Sequence, residues 1–136
     1  MKVLFDSNIL IDVILHRSDF FTDSRDTLLL AESKKITGYI SASSITDIHY
    51  IIRKELHVSV KALKTIKKLL QIFKVAKVDT KTITEAVNSE WKDFEDCVQF
   101  CAAKRCGVKC IITRNTKDFE EATIPVMTPK EFLNNI

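Results

Sequence analysis

The sequence predicts an α/β protein, a three-layer α/β/α sandwich around a central parallel sheet. Three observations predict it. Short apolar runs alternate with stretches of helical periodicity from one end of the chain to the other. Only two Gly and two Pro occur among 136 residues, too few for an all-β fold with many tight turns. No linker, low-complexity segment or repeat interrupts the pattern, so residues 1–136 read as one domain with room for a substantial core.

Taken in order, "KVLF" (2–5) reads as a strand, "NILIDVIL" (8–15) as a short helix and "RDTLLLAESKK" (25–35) as a second. "TGYIS" (37–41) is a strand, followed by helices at "SITDIHYIIRKEL" (44–56) and "VKALKTIKKLLQIFK" (60–74). "VAKV" (75–78) is a further strand, with helices over 81–90 and 93–106 after it. Gly107 stands where a helix C-terminus wants a left-handed residue. "KCIIT" (109–113) and "IPVMT" (124–128) are the last strands, and Pro129 opens a closing helix in "PKEFLNN". Strands and helices alternating in this way make a parallel sheet covered on both faces.

Composition narrows the function classes. The hydrophobic fraction of 46% and charged fraction of 29% are those of a soluble globular protein. No run of about 18 apolar residues exists to span a membrane. The opening "MKVLFDSNILIDVIL" carries a single Lys, an internal Asp and no cleavage site, which makes a poor signal peptide and points to the cytoplasm. A net charge of +3 permits nucleic-acid binding without predicting it. Cys97, Cys101, Cys106 and Cys110 fall within fourteen residues, but their helical and strand positions favour small core residues over a zinc site or disulfides.

The acids carry the chemistry. Asp6 ends the first strand, Asp47 falls in the first turn of the helix after the second, Asp93 and Asp96 open a later helix, and Asp118 follows the strand "KCIIT". In an open α/β sheet these places share one edge, where ligands bind at the switch point. Each acid alone has a plainer reading. First-turn acids cap helices and complement the macrodipole, and "SITD" (44–47) fits a variant capping box. Asp47 and Asp96 border apolar stripes and are expected to be partly buried. Taken together, convergent carboxylates would raise one another's pKa values or open the site unless a cation were bound. An oxygen-only ligand set selects Mg²⁺ or Mn²⁺, ions suited to phosphodiester cleavage.

The segments "LFDSNILID", "SASSITDIHYIIRK", "DFEDCVQFCAA" and "IITRNTKDF", with "IPVMTPKEFL", give the chain a resemblance to the PIN domain. This is the metal-dependent ribonuclease fold of the VapC-type toxins of toxin–antitoxin pairs, and the resemblance covers nearly the whole length. It implies that Asp6, Asp96 and Asp118 hold Mg²⁺ or Mn²⁺, with Asp47 at the second acidic position of the catalytic set. It also implies that Asn8, Asp93, Thr113 and Asn115 support them. Many family members have Glu where this chain has Asp47, a side chain one methylene shorter, which puts direct ligation there in doubt. RNA as substrate, an antitoxin partner and a homodimer are implied by the same resemblance.

Lys61, Lys64 and Lys68 belong to a lysine arc on the 60–74 helix that suits an RNA backbone but reads first as a plain solvated face. Trp91 and Tyr50 would stack on bases but read first as packing residues. No nucleophile elbow, G-x-G-x-x-G or Walker pattern is present. The competing readings are a phosphate-accepting receiver domain, which lacks its Lys and paired acid here, and a PIN-like module that binds RNA or protein without cleaving.

Overall fold

Alternate residues of the first strand part company. Val3 and Phe5 enter one apolar cluster and Leu4 the other, all fully buried. That alternation is the signature of a strand with two covered faces. A computed structural model describes all 136 residues. Its strands are β1 (Lys2–Phe5), β2 (Thr37–Ser41), β3 (Lys74–Ala76), β4 (Cys110–Ile112) and β5 (Val126–Met127). Its helices are α1 (Ser7–Ile14), α2 (Phe21–Glu32), α3 (Ala42–Leu56), α4 (Ser59–Ile72), α5 (Thr80–Ser89), α6 (Phe94–Arg105) and α7 (Pro129–Asn134), with a 3₁₀ turn at Thr116–Phe119.

The strands pair in the order β3-β2-β1-β4-β5, every pair parallel. Both edges are short, three residues for β3 and two for β5. One face of the sheet is covered by α1, α2, α3, α4 and α7 through Ile9, Leu10, Ala31, Ile48, Leu69 and Phe132. The other carries α5, α6 and the 3₁₀ turn through Ala86, Cys97, Cys101 and Phe119. The expected three-layer sandwich is what forms. The chain builds outward from β1 to β2 and β3, then crosses to β4 and β5, so the switch point lies between β1 and β4.

Local chemistry sets the ends. Gly107 has φ +74°, the left-handed geometry expected of it after α6. Asp79 and Thr82 form a capping box on α5, as do Thr128 and Glu131 on α7, where Pro129 occupies the first turn. Gly38 is required by contact: a Cβ there would lie 2.5 Å from the Phe73 ring. Lys104 and Arg105 of α6 both pair with Glu85 of α5, the Arg105 contact at 3.2 Å, and these partners draw Glu85's carboxyl below its usual range.

Several boundaries differ from the sequence reading. α2 starts four residues earlier than Arg25 and stops at Glu32, because Lys34 turns left-handed at φ +64°. α3 starts at Ala42, since Ser41 already takes the N-cap position. The apolar arc of α4 is only half used: Ala62, Leu69 and the following Phe73 are buried, whereas Leu63 and Leu70 are 62% and 51% exposed. Lys61, Lys64 and Lys68 are all exposed on that helix. Cys97, Cys101 and Cys110 are buried, with Cys110 on the opposite face of the sheet from the other two, and Cys106 is partly buried. Burial pushes the Cys101 thiol up to about 12 and the Cys110 thiol up to about 11.

Candidate active site

Asp6 follows the last residue of β1 and occupies the N-cap position of α1, yet its side chain caps nothing. It turns instead into the crevice between β1 and β4. There Oδ2 accepts from Thr113 Oγ1 at 2.7 Å and Asn8 Nδ2 at 3.1 Å. Oδ1 accepts from Gln99 Nε2 at 3.1 Å and, more weakly, from Ser7 Oγ at 3.4 Å. Four donors from α1, α6 and the end of β4 therefore hold one carboxylate that is 6% exposed. Thr113 is fully buried and in turn accepts from the Asn115 N–H at 3.1 Å.

A cleft of about 430 Å³ opens over this carboxylate. Its lining includes Asp6, Asn8, Asp47, Asp93, Asp96, Asn115 and Asp118, together with Ser43, Ser44 and Glu95. Acids separated by up to 112 positions (Asp6 to Asp118) thus meet at one edge of the sheet. Asp96 is half-buried, and its carboxyl is pushed up to about 7. Burial is the largest cause, followed by the negative charges of Asp6, Asp93, Asp118 and Glu95. Asp93 accepts from the Asp96 N–H at 2.9 Å as the N-cap of α6, so it orients that helix start while lining the cleft.

Two expectations need correction. Asp47 is exposed rather than partly buried, because Ile48 and Ile52 carry the buried face of α3. It also lies in the second turn, not the first, so the "SITD" capping box does not form and no side chain caps that helix. Lys61, Lys64 and Lys68 do not line the acidic cleft. Trp91 is a packing residue, stacked on Phe100 at 5.1 Å and set edge-on to Phe119 at 6.2 Å, while Tyr50 is 64% exposed. Gln99 was hidden in the apolar periodicity of α6. Phe94, 47% exposed on the rim of the cleft, was not singled out either.

Does this set suit a divalent cation? No three Asp, Glu, His or Cys side chains are gathered closely enough to enclose an ion. The donors that are present are nevertheless all oxygen, which suits Mg²⁺ or Mn²⁺ rather than zinc. Mg²⁺ in particular takes one or two carboxylates and keeps several waters. The amide oxygens Asn8 Oδ1 and Gln99 Oε1 are buried beside Asp6 without hydrogen-bond partners, and such an oxygen either accepts from a water, as on a hydrated ion, or ligates a hard cation itself. An open, partly aquated site fits the residues; a closed protein cage does not.

Known proteins resemble this chain along most of its length. The family model of the PIN domain matches residues 2–117. The chain is 27% identical over 134 residues to Ribonuclease VapC1 of Aquifex aeolicus (strain VF5), covering 96% of this chain and 92% of that one. It superposes on a toxin–antitoxin complex from Klebsiella pneumoniae with a TM-score of 0.66 and 28% identity, over 93% of this chain and 97% of that chain. Against the DNA-bound VapBC from Salmonella typhimurium the TM-score is 0.71 at 18% identity, over 95% and 98% of the two chains. With a parallel sheet whose switch point holds Asp6 and a family match spanning 2–117, the chain belongs to the PIN domain family.

Proposed function

We propose that this chain is a Mg²⁺- or Mn²⁺-dependent endoribonuclease, the toxin half of a toxin–antitoxin pair. The observation that carries the reading is Asp96. Burial first, and then the charges of Asp6, Asp93, Asp118 and Glu95, push its carboxyl up to about 7, a crowding that a bound divalent cation would relieve in place of a proton. The resemblance to a ribonuclease named VapC1 and to chains seen in toxin–antitoxin complexes supports RNA as substrate and an antitoxin as partner. A homodimer working in the cytoplasm belongs to the same reading.

In this reading Asp6, Asp96 and Asp118 hold the ion, and Asp47 completes the catalytic set from the rim, through water given its exposure. When bound, the ion supplies an activated water and neutralises charge on the phosphate. The chain's own residues do the rest. Thr113, Asn8 and Gln99 fix both oxygens of Asp6 in place, and Asp93 fixes the start of α6 and with it Asp96. Hydrolysis there would join a water oxygen to phosphorus as one P–O ester bond breaks, the proton shed by the water balancing the one taken up by the departing oxygen.

The test is cleavage of single-stranded RNA by purified protein with Mg²⁺, with EDTA, and in Asp6→Asn and Asp96→Asn. Cleavage that needs the metal and is lost in both variants supports the proposal. RNA binding without cleavage in the wild type would favour a binding module instead.

A further inference from the structure

Behind the acidic cleft lies a buried charge that the proposed reaction does not use. Asp12, on α1 six residues beyond Asp6, is fully buried. Arg114 Nε approaches its Oδ2 to 2.7 Å, and Arg17 reaches Oδ1 at 3.7 Å. The Arg114 guanidinium also lies 4.3 Å over the ring of Phe20 and is only 23% exposed. Arg114 stands between two residues of the site. On one side Thr113 donates to Asp6; on the other Asn115 lines the cleft and donates its N–H back to Thr113.

We propose that Asp12 and Arg114 form a positioning clamp, which pins residue 114 against α1 and thereby holds Thr113, Asn115 and the turn bearing Asp118 in register with Asp6. Its effect on catalysis rests on the nuclease reading above, but the clamp itself does not.

The backbone explains why such an anchor is needed. β4 ends at Ile112, and beyond it only the Thr113 N–H still joins the sheet, donating to the Met127 carbonyl at 2.9 Å. Asn115 has the irregular geometry φ −112°, ψ 67°. The following turn hangs from it, the Asp118 N–H donating to the Asn115 carbonyl at 3.0 Å. Between strand and turn, Thr113 reaches Asp6, and Arg114 adds a second side chain that crosses to another element, α1. Its partner is held at a cost: burial raises the Asp12 carboxyl against the lowering pull of Arg114 and Arg17. Neither Asp12 oxygen has an aligned hydrogen bond, so the contact is one of charge and packing.

The experiment uses the whole chain, comparing wild type with Asp12→Asn, which keeps the side chain's shape and leaves residues 113–119 untouched. Amide hydrogen exchange is read residue by residue, and Mn²⁺ binding is measured by spin resonance. Exchange at the Asn115 and Asp118 amides should rise about tenfold with β1, β2 and α6 unchanged, and Mn²⁺ affinity should fall by a similar factor. Arg114→Lys, which keeps the charge but loses the planar group stacked on Phe20, should fall in between. Unchanged exchange at Asn115 and Asp118, or a uniform rise across all amides, overturns the clamp. Loss of Mn²⁺ binding in Asp6→Asn but not in Asp12→Asn overturns its bearing on the site. Mn²⁺ binding indifferent to Asp6→Asn defeats the metal reading instead, and exchange then judges the clamp alone.

Discussion

The Thr113 hydroxyl donates a hydrogen bond to Asp6 over 2.7 Å although 107 positions separate the two residues. The bond joins the ends of β1 and β4 at the point where the order of the sheet reverses. Thr113→Val keeps the shape and removes the donor, leaving Oδ2 of Asp6 with Asn8 alone. RNA cleavage should fall about 10- to 100-fold, as is usual when a group that orients a ligand is lost. Stability should fall by about 2–4 kcal/mol, because the buried hydroxyl both donates to a carboxylate and accepts from the Asn115 N–H. Steady-state cleavage rates set beside urea unfolding check both; a loss of activity matched by an equal loss of folded protein would refute the orienting role.

Asp96 makes stability depend on pH in a definite direction. Its carboxyl is raised from an ordinary 3.8 to about 7, first by burial and then by Asp6, Asp93, Asp118 and Glu95. The folded chain therefore holds this proton more tightly than the unfolded chain does. Without divalent ions, the protein should lose stability as pH rises from about 4 to about 7 and lose no more from this group above that. Asp96→Asn should flatten that slope and stabilise the protein at pH 8. Unfolding midpoints in EDTA across this range measure it, and an unaltered slope in the variant would show the carboxyl is not so placed.

The same group governs cation binding. A proton and a divalent ion compete for Asp96, so Mg²⁺ affinity should climb between pH 5 and 8 in the wild type. In Asp96→Asn it should be weak and nearly flat. Calorimetric titration at several pH values reads the difference directly.

Asp47 is exposed on the second turn of α3 and meets the cleft from its rim. Asp47→Asn should therefore reduce cleavage by about 10-fold, much less than Asp6→Asn or Asp96→Asn, while Mn²⁺ affinity changes little. Equal losses of metal binding in Asp47→Asn and Asp96→Asn would place Asp47 against the ion itself.

Gly38 faces Val3 across the β1–β2 ladder and lies under the Phe73 ring. Gly38→Ala forces a methyl into that contact, with Ala31 Cβ 3.0 Å away on another side. The expected cost is about 1–3 kcal/mol, read as a lower urea midpoint with metal binding retained once the protein is folded.

How much of this was legible in the residues follows from what each feature depends on. The strands could be read because the residues after the exposed Lys2 and Lys109, Val3 to Phe5 and Cys110 to Ile112, are buried on both faces and so are apolar. Asp6, Asp96 and Asp118 could be placed together because a parallel sheet puts every strand end on one edge. Gln99 could not, since a polar residue within "CVQFCAA" shows its purpose only once β1 lies beside α6. The start of α3 was read two residues late because the serines of "SASS" resemble a cap, and that shift moved Asp47 out of the first turn. Asp12 and Arg114 lie about a hundred positions apart, and nothing local in either segment announces the pairing.

The brevity of β3 and β5 has a consequence for how this molecule meets others. Borders of three and two residues expose too few free amides and carbonyls to recruit a foreign strand. The exposed apolar side chains lie elsewhere, on the helical flank of α4, where Val60, Leu63 and Leu70 stand open to solvent.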